Sequence, residues 1–486
     1  MTEQTFFWHD YETFGIDPRR DRAVQFAGIR TDLDFNIVAE PVDIYCRLAE
    51  DSLPNPEACL VTGVSPQQAN RKGVVEADFV RQIHQQLSQP KTCSLGYNSL
   101  RFDDEVSRNL LYRNFYDPYA REWQNGNSRW DLIDLVRATR ALRPDGMEWP
   151  NDENGIATFR LEALSEANGI AHQNAHEALS DVYATIGLAK CIKRAQPKLY
   201  HFFFEQRLKT KVLDLLQLGA QKPLIHVSGM YSAQQHRMTI VLPVAQHPTN
   251  SNGVIVYDLS VSPEPLLNLT AEQIQQRVFT ATIDLPEGEE RIPLKTVHIN
   301  KCPVLAPITV LREADIDRLE IDLERCFKHL EQIKKTPGLA EKVGHAFQSS
   351  SMLEESDPDL MIYSGGFFSQ ADKISMEKIR NAPASDLATL NVNFKDSRLA
   401  EMLFRYRSRN FPETLDNAEK LKWHHYCKDR LILGQEKGAS LALSEFFDLL
   451  NEFKAKPGAN TKLLDDLNHY ARELMIKFDI PEQIKN

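Results

Sequence analysis

TFFWHDYETFG, residues 5–15, opens with Phe6, Phe7 and Trp8 and runs straight into Asp10 and Glu12. On a β-strand, positions i and i+2 point to the same face. Read as a strand, this stretch therefore sets two carboxylates side by side at the end of a segment that looks buried. Like charges that close, near a dry core, either shift pKa or need a positive partner. Identifying that partner is the question the rest of the sequence has to answer.

The surrounding residues, 5–190, alternate strand-like runs (FFWHDYE, AGIRTD, VDIYCRL, TCSLGYNS) with helical patterns at 75–88, 160–168 and 176–194, which predicts a mixed α/β domain. Residues 222–310 change to short β-rich runs between Pro, Asn, Gly and Ser clusters, the pattern of a small antiparallel barrel or sandwich. Residues 313–349 read as helical, SSSMLEESDPD as an acidic linker, and the chain from about 365 onward as helical, with Leu399, Met402, Leu403 and Tyr406 on one face. With 486 residues and about 150 per domain, three domains are expected: 1–195, 196–350 and 351–486.

Composition narrows the class. No apolar run reaches the ~18 residues that span a bilayer, and no basic-then-apolar leader opens the chain. The seven cysteines are scattered without a C-x-x-C pair, which fits a reduced cytoplasm better than a disulfide framework or zinc knuckle. The net charge of −11 is unevenly spread: residues 1–187 hold 18 Lys and Arg against 29 Asp and Glu. Residues 188–250 follow with nine basic side chains against Glu205 and Asp214. An acidic block beside a basic one suits a nucleic-acid enzyme or a solvated helix face equally.

A lone Asp-x-Glu is weak evidence, but it has company. GYNSLRFDDE (96–105) supplies Asp103, and NAHEALSDVY (174–183) supplies His176 five residues before Asp181. Taken singly, Asp103 could be a helix N-cap and His176 a surface histidine. His172 and His176 stand at i, i+4, as zinc ligands can, though no third ligand is spaced to join them. Four converging carboxylates are costly unless divalent cations neutralise them, and clustered oxygens select hard ions such as Mg²⁺ or Mn²⁺. Two such ions are a standard device for phosphodiester hydrolysis, and a histidine is a natural base for the attacking water. Five residues along a helix turn through ~140°, so His176 belongs in or before the first turn while Asp181 lies inside it.

The set Asp10, Glu12, Asp103, His176 and Asp181 resembles the DEDDh branch of the DnaQ-like, RNase H-fold 3′→5′ exonucleases. HDYETFG, GYNSLRFDDEVSRN, YRNFYDPYAREWQNGNSRWDL, HVSGM, HINKCPVLAP and YRSRNFPETL look like the exodeoxyribonuclease I family of gammaproteobacteria, from residue 6 to about 415. The resemblance implies a DnaQ-like exonuclease domain, an SH3-like β-barrel domain and an α-helical C-terminal domain. It implies processive 3′→5′ degradation of single-stranded DNA to deoxynucleoside 5′-monophosphates, in repair and recombination. It makes Asp10, Glu12 and Asp181 direct ligands of two Mg²⁺ ions (Mn²⁺ substituting), Asp103 a support of the second ion, and His176 the general base. Arg160 matches a substrate-contacting arginine. Arg143 matches a basic position that docks the acidic tail of single-stranded DNA-binding protein.

Between residues 108 and 130, arginines interleave with aromatic rings, as a sequence-blind single-strand channel needs. Guided partly by the resemblance, Arg108, Tyr119 and Trp123 are expected to face the strand, and Lys222 beside HVSGM to contact phosphate. A cytoplasmic monomer is expected. Two rivals stand beside this reading: a DEDDh exoribonuclease, and a non-enzymatic single-strand-binding scaffold. No P-loop is present, so built-in ATP-driven unwinding is not expected.

Overall fold

The computed structural model describes residues 3–172, 177–348 and 355–482. The chain divides into two compact units, one drawn from residues 1–128, 172–183 and 353–486, the other from 129–171 and 184–352. No helix among the described residues is long and apolar enough to cross a membrane.

In the first unit, β1 (Thr5–Thr13), β2 (Ala23–Thr31), β3 (Val42–Tyr45) and β4 (Thr92–Gly96) hydrogen bond in the order β3-β2-β1-β4. β1 runs antiparallel to β2 and parallel to β4. Both faces of β1 are buried at its start, which is why the run is almost wholly apolar there. Phe6 and Trp8 pack with Phe35 on one face, and Trp8 donates its indole N–H to Thr31 Oγ1 at 3.0 Å. Phe7 and Tyr11 on the other face join Phe26, Phe79, Ile83, Val106 and Leu110, so the helices Glu76–Leu87 and Asp103–Arg113 cover that side.

The helices after residue 355 complete the same unit. Phe14, Val24, Leu48 and Leu53 share one core with Phe404, Trp423, Phe446 and Leu467. Beside it lies a buried ionic network. Asp51 takes Arg409 at 2.8 Å, with Arg22 and Arg430 each at 3.6 Å. Arg409 also reaches Asp359 at 2.7 Å, and Glu76 holds Arg113 at 3.0 Å and Arg22 at 3.6 Å. Burial alone would raise the Asp51 carboxyl, yet Arg409, Arg22 and Arg430 hold it well below the ordinary range. The N-terminal sheet and the C-terminal helices are thus neighbours in space, although ~300 residues separate them in the chain.

The chain enters the second unit inside β5 (Ser128–Asp131). That unit contains a fully antiparallel five-stranded sheet made from β6 (Leu224–Val227), β7 (Met238–Gln246), β8 (Gly253–Asp258), β9 (Leu294–His298) and β10 (Val304–Pro307). Its order is β10-β6-β7-β8-β9, with an irregularity in β7 between Pro243 and Ala245, as a proline in a ladder requires. The run KTVHINKCPVL, read as one strand, divides into β9 and β10. One side of the sheet carries Val241, Val254, Val256, Val297 and Leu305, the other Ile240, Leu242, Ile255, Tyr257 and the helix Leu323–Lys334.

Candidate active site

The ladder between β1 and β4 ends at Trp8↔Leu95, so Asp10 and Glu12 extend beyond the last parallel pair and are paired only with β2, at Ala27 and Gln25. A register shift follows between Glu12 and Thr13, the kind of bulge that re-aims side chains at strand ends. At the end of β4 the chain must turn away at close quarters. A Cβ on Gly96 would lie 2.5 Å from the His9 carbonyl oxygen, so only glycine fits. Asn98 then takes a left-handed backbone (φ 63°), which asparagine tolerates. The turn delivers Asp103 to the first position of the helix Asp103–Arg113.

Asp103 Oδ1 accepts the Tyr11 backbone N–H at 3.0 Å, and the Tyr11 hydroxyl meets Ser107 Oγ at 3.0 Å. One tyrosine therefore ties the helix to the strand between the two acids. Asp181 sits in the first turn of the helix Ala178–Ala195. Ligand oxygens of Asp10, Glu12 and Asp181 all lie within 4.8 Å of one another. His176 lies outside the described residues. His172 places Nε2 at 2.6 Å from Asp181 Oδ1. Its only signal in the sequence is the i, i+4 spacing from His176.

Among the described residues no lysine or arginine perturbs Asp10 or Glu12. Burial first, then Asp103, Glu12 and Asp181, push the Asp10 carboxyl well above its usual range. Burial, then Asp181 and Asp103, push Glu12 up to about 8. An all-oxygen, half-buried and mutually repelling donor set fits a hard divalent ion, with Asp10, Glu12 and Asp181 as its holders.

The other expected contacts divide. Trp123 is 65% exposed. Tyr119 is half-buried, 5.4 Å beneath the Arg108 guanidinium and edge-on to Phe367, itself 88% exposed. Arg108 does not face outward as expected. It is 5% exposed, bound to Glu122 at 2.7 and 2.9 Å and to Glu105 at 2.7 Å. Burial opposes its charge, but Glu122, Tyr363 and Glu105 outweigh that and hold the guanidinium protonated. Its donors are spent inside the protein, where they brace the helix that carries Asp103. Arg160, just before the helix Leu161–Ala167, and Lys222 are both exposed. Arg143 pairs with the buried Asp315 at 3.0 Å and donates to Val310 O at 2.8 Å. Asp315 also takes Arg312 at 2.8 Å and lies 3.7 Å from Arg318, so three guanidiniums surround one carboxylate and leave the patch positive.

Comparison with known proteins bears on the whole chain. Residues 7–189 match the Exonuclease family, 207–349 the Exonuclease I SH3-like domain and 356–474 the Exonuclease I C-terminal domain. Exodeoxyribonuclease I of Escherichia coli is 48% identical over 422 residues, covering 87% of this chain and 88% of its own. The solved structure of exonuclease I from Methylocaldum szegediense is 50% identical with a TM-score of 0.93, covering 97% of this chain and 100% of its own. The zinc-bound complex of E. coli exonuclease I with single-stranded DNA is 44% identical with a TM-score of 0.91, covering 98% of this chain and 100% of its own.

Proposed function

Since this chain belongs to the exodeoxyribonuclease I family, we propose that it hydrolyses single-stranded DNA processively from the 3′ end, releasing deoxynucleoside 5′-monophosphates in repair and recombination. The observation that carries this reading is the cluster of Asp10, Glu12 and Asp181, whose ligand oxygens lie within 4.8 Å, with no lysine or arginine among the described residues to balance the strand pair. These three acids bind two Mg²⁺ ions, and Asp103, held by the Tyr11 N–H, supports the second. When bound, the ions neutralise the carboxylates, acidify the attacking water and stabilise the charge that builds on phosphate. His176 accepts the proton of that water.

Substrate contacts follow from exposure. The exposed Trp123 ring is suited to stacking on a base, as is the half-buried Tyr119. Arg160 and Lys222 carry exposed cationic heads suited to phosphate. Arg143, with Arg312 and Arg318, makes a positive patch suited to the acidic, carboxylate-ended tail of single-stranded DNA-binding protein. We take 1–195, 196–350 and 351–486 as the three domains, in a cytoplasmic monomer.

A time course on 5′-labelled single-stranded DNA tests the core of this reading. Progressive shortening with Mg²⁺ and none in EDTA is expected. Asp10→Ala should abolish hydrolysis while strand binding in EDTA persists; full Mg²⁺-dependent activity in that variant would overturn the site. Matched DNA and RNA oligomers separate this function from an exoribonuclease.

A further inference from the structure

The loop that carries Tyr119 and Trp123 has little regular structure of its own. Between the helix Asp103–Arg113 and residue 128 it makes two 3₁₀ turns, Ala120–Glu122 and Gln124–Gly126, with left-handed backbones at Phe115 and Asn125 (φ 64° and 57°). Two ion pairs tie it to that helix. Arg121 of the loop meets Asp104 at 2.6 Å, and Arg108 of the helix meets Glu122 at 2.7 and 2.9 Å. All four side chains are at least nine-tenths buried.

The pairs run in opposite senses: a helix acid takes a loop base and, one helical turn on, a helix base takes a loop acid. A slip of one turn would set Glu122 against Asp104 or Arg121 against Arg108, and like charges in a dry contact oppose it. Ion pairs this deep add little net stability over apolar packing, so the pattern specifies position. The Arg108 guanidinium also lies 5.4 Å over the Tyr119 ring, which ties that ring to the same clamp. Asp103 heads the helix and is itself held by the Tyr11 N–H.

We propose that Asp104, Arg108, Arg121 and Glu122 are positioning residues for the strand: their two crossed pairs hold Tyr119 and Trp123 at a fixed offset from Asp103, so that bases stacked on the rings set which phosphate reaches the acids. The inference rests on the single-strand-stacking reading of the two rings. A displacement of ~1 Å between a bound substrate and the groups that act on it costs ~100-fold in rate, so a mobile loop cannot set this offset.

The test compares kcat/KM, with Mg²⁺, on single-stranded DNA and on the p-nitrophenyl ester of thymidine 5′-monophosphate, which reaches the acids without spanning the rings. Glu122→Ala releases the loop but leaves Asp103 on the Tyr11 N–H, so it should lose about 5–100-fold more on DNA than on the ester. In a Trp123→Ala background the same substitution should cost at least about twofold less on DNA, because the clamp acts through the ring. Melting in EDTA checks folding, and Glu122→Gln replaces the Ala variant if that one is unfolded. Equal losses on DNA and ester would mean that the clamp only supports the fold, and full additivity with Trp123→Ala that it does not act through the ring. Either result, or no loss at all, overturns the inference while the nuclease reading stands. A Trp123→Ala protein that degrades DNA as the parent does overturns the stacking reading and the inference together, and a parent inactive on both substrates overturns the nuclease reading as well.

Discussion

Raising the pH should tighten divalent-ion binding steeply, and the size of the effect follows from Glu12. Its carboxyl is pushed up to about 8, first by burial and then by Asp181 and Asp103. A raised carboxyl holds its proton below that value, and an ion that needs the carboxylate must expel it. At pH 7 the proton weakens binding about 11-fold, at pH 6 about 100-fold and at pH 8 about twofold. From pH 6 to pH 8 the apparent affinity should therefore rise about 50-fold, or about 2.3 kcal/mol, from Glu12 alone. Asp10 is raised by burial and by the same neighbours, so it adds in the same direction. Calorimetric Mn²⁺ titrations at pH 6, 7 and 8, each in two buffers of different ionisation enthalpy, give both the affinity and the protons released. A flat affinity with no proton release would refute the electrostatic account of this site.

Three further outcomes are expected. Asp10→Asn is neutral without having to take up a proton on folding, so in EDTA at pH 7.5 it should stabilise the fold by on the order of 1 kcal/mol in thermal melts while eliminating hydrolysis. Arg409→Met leaves Asp51 and Asp359 short of a partner and should cost about 3–5 kcal/mol in urea unfolding; a neutral result would mean the network carries no stability. Trp123→Ala should weaken single-stranded DNA binding in EDTA by about 1–3 kcal/mol by fluorescence anisotropy, whereas Arg108→Ala should lower the melting temperature and leave the salt dependence of binding unchanged.

What could be read from the chain beforehand depended on range. β1 and its acid pair are local: alternation places Asp10 and Glu12 on one face, and the apolar start of the strand declares its burial. The β-rich stretch after residue 222 was equally legible, because each strand is short and bounded by turn residues. The burial of Arg108 is hidden for the opposite reason. Its partner Glu122 lies 14 residues away and Tyr363 lies 255 away, and without them an arginine among tyrosines looks like a phosphate clamp. His172 shows in the sequence only as half of a zinc-ligand spacing, since a hydrogen bond to Asp181 nine residues on depends on a loop path that no periodicity encodes. The division into compact units was hidden too, because it depends on Asp51 meeting Arg409 across 358 residues.

The shared core and its ionic network limit how this enzyme can be dismantled. A gene fragment ending near residue 195 would keep the acid pair of the strand yet strip the cover from Phe14, Val24, Leu48 and Leu53 and take Arg409 and Arg430 from Asp51. Such a fragment would meet solvent with a sticky flank and an orphaned charge. A transplantable minimal nuclease cannot be cut from this chain with scissors; it would have to be resurfaced.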